Sequence, residues 1–218
     1  MHDSYWAFHR DQFLELLPPP GRLTVDVGAG EGRLPRDLVA RGHRVVALDA
    51  SAAMVAAARA ADAIVPVVQA DAARLPLANE VADLVVAFMS LQDFDDMDAA
   101  VREAARVLAP GGRFCFAVVH PINSAGLFAG REPDDPFVIQ GSYLDEARYE
   151  ERLERDGREM SFASVHRPVE GYFDALARPG LLVERLREPR VPDDAIEAPN
   201  DRRWQRVPLF LHVAAVKR

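Results

Sequence analysis

One stretch narrows what this chain can fold into more than any other: Leu23-Thr-Val-Asp-Val-Gly-Ala-Gly-Glu-Gly32, running on into Arg33-Leu34-Pro35. Leu23 to Val27 is a short apolar run with β-branched residues and reads as a strand. Gly28, Gly30 and Gly32 then let the backbone turn tightly with no Cβ in the way. From Arg33 the pattern becomes helical. A strand, a glycine loop and a helix start is where an α/β sheet holds a nucleotide-like ligand. Two features argue against a phosphate guest. A dinucleotide fingerprint needs its third glycine one place later, where Arg33 stands. The local charges are also negative: Asp26 and Glu31 bracket the loop, and Asp49 and Asp71 close the next two apolar runs. Carboxylates repel phosphate but suit hydroxyls, an ammonium and a sulfonium.

The rest of the chain reads as alternating helices and strands. Residues 1–20 are expected to be a helix carrying Tyr5, Trp6, Phe8, Phe13, Leu14, Leu16 and Leu17 on one face, stopped by Pro18-Pro19-Pro20. Tyr5 and Trp6 are candidates to cover the ligand. Leu34 to Arg41 reads as a helix ended by Gly42, and Arg44 to Leu48 as a strand closed by Asp49. Ser51 caps a helix over Ala52 to Ala61, with Met54 inward. Asp49 follows Gly28 by about 20 positions, the offset at which an acidic side chain meets a ribose diol. Ile64 to Gln69 is a third strand. Its Pro66 lacks a ladder donor, which places it at a sheet edge. Asp83 to Phe88 is a near-continuous apolar run suited to a strand covered on both faces.

Asp95 or Asp96 starts a helix through Leu108, and Pro110-Gly111-Gly112 leads into a fifth strand, Arg113 to Val119. From His120 the regularity breaks. Residues 122–142 are rich in Gly, Pro, Asp and Ser, and Asp145 to Arg158 is densely charged. An insert of roughly 45 residues is too long for a simple connector; such inserts usually have a binding role or are disordered. No second core is visible in it, so the expectation is one domain over 1–218 with an insert at about 120–160. Val169 to Arg178 reads as a helix with Val169, Tyr172, Phe173 and Leu176 inward. Leu181 to Leu186 is a sixth strand, 187–207 a proline- and charge-rich loop, and Pro208 to Val216 the last strand.

With the loop, the acidic run ends and this element order in view, the chain resembles the class I S-adenosylmethionine-dependent methyltransferases of the small-molecule type over nearly its whole length. Their cofactor carries hydroxyls, an ammonium and a sulfonium, the groups that the acidic residues suit. The resemblance implies a three-layer αβα Rossmann-like fold of class α/β. Its seven-stranded sheet is mostly parallel, with the third strand at an edge and an antiparallel last strand between the fifth and sixth, and the resemblance makes the insert at about 120–160 a substrate cover. It implies S-adenosyl-L-methionine held by Asp26, Gly28, Ala29, Gly30, Gly32, Asp49, Ala50, Met54, Asp71, Ala72 and Phe88, with Asp49 on the ribose hydroxyls and Asp71-Ala72 at the adenine. Met89-Ser90-Leu91-Gln92 stands where enzymes that methylate nucleic-acid amines usually carry Asn/Asp-Pro-Pro-Tyr/Phe. The absence of that motif turns the reading away from nucleic acid. His120-Pro121, Tyr143 and the segment from His166-Arg167-Pro168 to Phe173 resemble one subgroup, which commonly has Thr in place of Pro168.

Methyl transfer is an in-line displacement, so the main demand on a protein is to hold nucleophile, methyl and sulfur in line. A general base helps only when the acceptor must lose a proton. His120 is the first candidate, because the end of the fifth strand borders the ligand crevice; Tyr143 and His166 follow. A turn histidine bonded to backbone is the competing reading of His120. A histidine free to take a phenolic proton makes oxygen the favoured acceptor over nitrogen or carbon. His2, His9, His43 and His212 fall in segments that read as ordinary helix, loop or strand surface. No metal-ligand constellation stands out.

Composition bounds the alternatives. With 218 residues, 49% of them apolar, the chain can bury a full core. A formal net charge of −8 argues against a general polyanion-binding surface. Cys115 is the only cysteine, which excludes an intrachain disulfide and a cysteine-rich metal site. No apolar run approaches a membrane span, and Met1 to Trp6 lacks a signal-peptide layout, so the expected setting is cytoplasmic. The expected partner is a small-molecule methyl acceptor, with no nucleic acid and no membrane, on a monomer or homodimer. Two other classes remain open at this stage: a nicotinamide-dependent oxidoreductase, whose fingerprint glycine is missing at Arg33, and a non-catalytic S-adenosylmethionine-binding regulatory protein.

Overall fold

The computed structural model describes residues 4–155 and 158–218. A helical turn of π type, Tyr5–His9, runs into α1 (Arg10–Leu14). Then come β1 (Thr24–Val27), α2 (Arg33–Ala40), β2 (Val45–Asp49), α3 (Ala52–Ala61), β3 (Val67–Gln69), β4 (Ala82–Phe88), α4 (Met97–Val107) and β5 (Leu108–Val119). The short α5 (Pro121–Ser124) opens a region of two antiparallel ribbons. One is β6 (Gly126–Phe128) with β7 (Phe137–Ile139); the other is β8 (Ala147–Arg155) with β9 (Arg158–His166). The chain closes with α6 (Val169–Ala177), β10 (Leu181–Arg187) and β11 (Phe210–Lys217).

Seven strands form one sheet in the order β10-β11-β5-β4-β1-β2-β3. The neighbours from β5 through β3 pair in parallel, whereas β11 runs antiparallel to both β5 and β10. Side-chain alternation explains why β4 reads as unbroken apolar sequence. Leu84 and Val86 face one core, with Phe13, Leu34, Leu38, Val55 and Ala58 from α1, α2 and α3. Val85 and Ala87 face the other, with Met97, Val101, Tyr172 and Leu176 from α4 and α6. A strand covered on both faces has no polar phase to show. The expected three-layer fold is therefore present, with the third strand at the edge and the last strand antiparallel.

Several local expectations need correction. The first helical stretch covers Tyr5–Leu14, not 1–20; residues 1–3, with His2, lie outside the described residues. The third strand begins at Val67, because Pro66 contributes only its carbonyl, which accepts from the Ala47 N–H at 2.9 Å. The fifth strand begins at Leu108, five residues before Arg113, because Leu108 already pairs with Ala82 ahead of a register shift. Residues 122–166 are not irregular but two ribbons. Their sequences hide this: β6 and β7 are three residues each, and β8 carries charge on successive positions, so neither shows a period-two apolar pattern. Residues 156–157 of the charged segment lie outside the described residues.

Three histidines depart from the expected surface positions. His9, His43 and His212 are 1%, 6% and 0% exposed, and so are core groups, not surface ones. His43 Nδ1 lies 2.9 Å from the Thr24 hydroxyl. His9 and His212 bond to each other. A hydrogen-bonded imidazole can be buried as a neutral group, and a single sequence gives no sign of the partner.

Candidate functional site

Strand order reverses at β1: β2 and β3 continue to one side, β4 and β5 to the other. The carboxyl ends of β1 and β4 therefore border the crevice where open α/β sheets bind ligands. Gly28, Gly30 and Gly32 all take left-handed backbone angles, φ 75°, 56° and 81°. Their spatial reasons differ. A Cβ on Gly28 would lie 2.4 Å from the Ser90 Cβ. The missing side chain thus lets β1 turn tightly beneath the segment after β4, where the Ser90 hydroxyl donates to the Val27 carbonyl at 2.7 Å. A Cβ on Gly30 would meet no protein atom within 4 Å, so that side of the loop is open to a guest. Gly32 precedes α2 as its N-cap. Arg33, standing where a dinucleotide fingerprint has glycine, pairs with Glu31 at 2.6 Å.

The acidic residues fall into two kinds. Asp49, at the end of β2, accepts from the Gly30 N–H and the Ser51 N–H, each at 2.8 Å. It ties the second strand to the glycine loop and keeps further lone pairs on both oxygens. Asp71 follows β3; one oxygen accepts from the Ala73 N–H at 2.9 Å, and the residue is exposed. Ala70 N–H bonds to the Asp49 carbonyl, so Asp71-Ala72 lies beside the end of β2. Ala50 is exposed and Met54 half-buried at the start of α3. Asp26 is different. It is 1% exposed, and neither oxygen has a hydrogen-bond partner among the described residues. Burial, with the charge of Asp49 nearby, pushes its carboxyl up to about 8. Phe88, expected at the cofactor, is half-buried at the end of β4, and its ring meets Tyr5, His9 and Phe13 at centroid distances of 5.4, 4.5 and 4.8 Å.

The three catalytic candidates come together, but as a scaffold. His120 Nδ1 accepts from the Ile122 N–H at 3.0 Å and so caps α5, which leaves the proton on Nε2, 3.0 Å from Glu188 Oε1. Burial holds this imidazole below its ordinary range, against the pull of Glu188. A neutral imidazole has one lone pair, and here it is spent. Without a ligand, His120 takes the turn-histidine form, its lone pair on the Ile122 N–H. His166 is spent likewise, between the Ser124 hydroxyl at 2.7 Å and the Tyr143 carbonyl at 3.0 Å. Tyr143 turns its hydroxyl to the Val169 N–H at 3.2 Å. Pro168 at the N-cap of α6 has no side-chain acceptor, and the Tyr143 hydroxyl holds the first helical N–H instead. Tyr143→Phe is expected to cost about 1 kcal/mol, the value of a cap, read as a lower urea midpoint at unchanged m-value. His120→Ala is expected to cost a similar amount and leave S-adenosylhomocysteine affinity within two- to threefold, by calorimetry.

Comparison with known proteins fits this geometry. Residues 25–116 match the family model described as a methyltransferase domain. An S-adenosylmethionine-dependent methyltransferase from Mesorhizobium loti superposes with a TM-score of 0.79 at 27% identity, covering 99% of this chain and 98% of the other. The chain carries a methyltransferase domain on the S-adenosylmethionine-dependent methyltransferase fold. The glycopeptide N-methyltransferase MtfA, solved with S-adenosylmethionine, shares the fold at TM-score 0.66 and 19% identity, covering 95% and 92% of the two chains. A demethylmenaquinone methyltransferase from Corynebacterium kroppenstedtii is 40% identical over 111 residues, which are 51% of this chain. The match covers 47% of that relative, so the chain spans about half the length of the relative it matches.

The residues present fit the family's cofactor. An enclosed, unpartnered carboxylate at the end of β1 suits a cation, and the space beside Gly30 would be filled by a Cβ. Sequence reasoning missed the residues that brace the site. Arg167, 5% exposed, donates to the carbonyls of Gln92 and Phe94, and the Ser164 hydroxyl donates to Asp93 at 2.5 Å. Both pin β9 to the turn that follows β4. Arg167 stands in the subgroup-like segment noted in the sequence. Ser90, Asp93 and Ser164 carry no signal that one sequence could show, since their roles depend on a partner distant in the chain.

Proposed function

We propose that this protein transfers the methyl group of S-adenosylmethionine to an oxygen, nitrogen or carbon of a small molecule. The observation that carries the reading is the pairing of an open glycine loop with an unpartnered carboxylate at the β1/β4 crevice. When bound there, S-adenosylmethionine supplies a methyl group on a positively charged sulfur. In this reading Asp49 orients the ribose hydroxyls, Asp71 receives the adenine amine, and Asp26 faces the cationic end. The segment after β4, braced by Arg167 and Ser90, lines the acceptor side, and α5 with the two ribbons excludes water above it. With His120 and His166 both committed, positioning carries the rate, and the earlier preference for an oxygen acceptor loses its support.

The nicotinamide reading is disfavoured by the Arg33–Glu31 pair at the position of the missing glycine. The non-catalytic reading is tested together with the acceptor. Titration with S-adenosylhomocysteine is expected to give micromolar-class binding, and NAD none. Demethylmenaquinone is the first acceptor to try, on the strength of the relative's name, followed by a metabolite library with methyl-labelled cofactor. Binding without any turnover across that library would favour a regulatory protein, and NAD binding without S-adenosylhomocysteine binding would overturn the assignment.

The insert is read as the substrate cover. Besides the Arg167 and Ser164 contacts, Arg148 on β8 reaches Asp95 at 3.0 Å. Proteolytic nicking between residues 126 and 150 is expected to slow several-fold with S-adenosylhomocysteine and acceptor present. Cleavage indifferent to both would count against a cover.

A further inference from the structure

Residues 5–14 form a strap that lies over the end of β4 and is fastened at three points. Arg10 grips Asp37 of α2 with two parallel bonds, Nε at 2.7 Å and Nη2 at 2.8 Å, and the Tyr5 hydroxyl donates to the same carboxylate at 2.6 Å. Phe8 enters an apolar cluster with Val191, Leu209 and Phe210. Between these anchors, His9 Nδ1 lies 2.9 Å from Nε2 of His212 on β11. The His9 ring stacks on Phe210 at 3.9 Å, and Phe13 of the strap meets His212 edge-on at 5.4 Å.

This pair is chemically incomplete. Two neutral imidazoles offer two N–H groups and two lone pairs, and their mutual bond uses one of each. The outer nitrogens, His9 Nε2 and His212 Nδ1, are enclosed with no partner among the described residues. One donor and one acceptor are therefore buried unspent, a cost that a Leu or Phe at either position would avoid. No carboxylate among the described residues acts on either ring. The charged group that faces the pair is Arg187 on β10, the register partner of His212, which opposes a further proton. Tyr5 and Arg10 of the strap are engaged with Asp37 on α2; β4 contributes Phe88, and β5 contributes Ala117 opposite His212.

We propose that His9 and His212 are a proton-sensitive latch: the strap docks only while both rings are neutral, and acidification releases it by uptake of two protons. Neither imidazolium could stay in the closed state, since one would be buried without a counter-ion and beside Arg187. Lifting residues 5–14 exposes both rings to water, where they titrate normally. Below about pH 6 the opening equilibrium then gains two protons, approaching a hundredfold increase per pH unit. Resting on the methyltransferase reading, release would also uncover the crevice, because Tyr5 packs on Phe88 and lies near Asp26.

The test is hydrogen exchange of the Phe8–Leu14 amides between pH 7.5 and 5, corrected for intrinsic rates, on the ligand-free protein. The latch requires the opening equilibrium to rise more than tenfold per unit between pH 6 and 5; a rise of tenfold or less overturns it. In His9→Phe/His212→Phe the rise should vanish, and a rise that persists there also overturns it. The wild-type slope stands as a test even if that variant misfolds. The ligand-free readout is independent of what the crevice binds. S-adenosylhomocysteine affinity at pH 7.5 and 5.5 then tests the gate: the double variant keeps the proton linkage of Asp26, so a wild-type loss larger than that of the double variant supports gating. An equal loss in both overturns gating alone.

Discussion

Asp26→Asn is expected to make the protein more stable at high pH while weakening its hold on S-adenosylmethionine at least tenfold. The two effects share one cause. The Asp26 carboxyl is enclosed without a hydrogen-bond donor among the described residues, and burial raises it from the usual carboxylate range to about 8. A raised value means that the folded chain holds this proton where the unfolded chain has lost it. Stability therefore falls as pH rises from about 4 to 8, at up to about 1.4 kcal/mol per unit, and levels off above. Asparagine cannot ionise, so this slope should disappear from its stability curve. A buried amide adds its own cost of about 1–3 kcal/mol, but that term does not vary with pH. Urea melts from pH 4 to 9 give the difference curve; parallel curves for parent and variant would contradict the account.

The same carboxyl predicts a proton count for binding. A sulfonium or ammonium brought near Asp26 favours its charged form, so binding near pH 7 should release a proton. Calorimetry in buffers of different ionisation enthalpy reads this directly. Release approaching one proton is expected in the parent and none from this site in Asp26→Asn. A site that leaves a carboxylate without a partner breaks the usual rule for buried polar groups, and such breaks concentrate where a ligand completes the set.

Features specified by chain neighbours and features specified by distant contacts divide the molecule physically. The glycine loop, β1, Asp49 and α3 were legible because each is specified by neighbours in the chain: backbone angles that favour glycine, a Ser51 cap, a β-branched run. The edge position of β3 was legible because Pro66 lacks a donor. What was not legible depends on contacts distant in sequence. His9 and His212 stand 203 positions apart, and each alone looks like a surface residue. His120 was singled out for its position at the end of the fifth strand, but its chemistry is decided by Ile122 and Glu188. The ribbons of the insert escaped notice because short strands bearing charges on successive positions have no apolar period. Arg167 could have been suspected from its subgroup-like segment, yet only the fold reveals that it holds the carbonyls after β4.

Asp49→Ala is expected to weaken S-adenosylhomocysteine by roughly ten- to a hundredfold, on the order of 1.5–3 kcal/mol for a charged hydrogen-bonded contact. The structure gives this side chain two functions that the substitution removes together. It offers acceptors toward the crevice, and it holds the Gly30 and Ser51 N–H groups at 2.8 Å. Two companion variants separate them. Asp49→Asn keeps a carbonyl oxygen that can hold one of the two N–H groups, but its amide cannot accept from both ribose hydroxyls. Gly30→Ala keeps Asp49 whole and places a methyl in space that no protein atom occupies, at a backbone angle costing about 1–2 kcal/mol. If hydroxyl recognition dominates, Asp49→Asn should lose nearly as much affinity as Asp49→Ala, with little change in the melting midpoint. If the loop tether dominates, Asp49→Asn should recover most of the affinity. Gly30→Ala should bind poorly in either case, because its methyl occupies the ligand's side of the loop. Parent-like affinity in both Asp49→Ala and Gly30→Ala would remove the glycine loop from the cofactor site altogether.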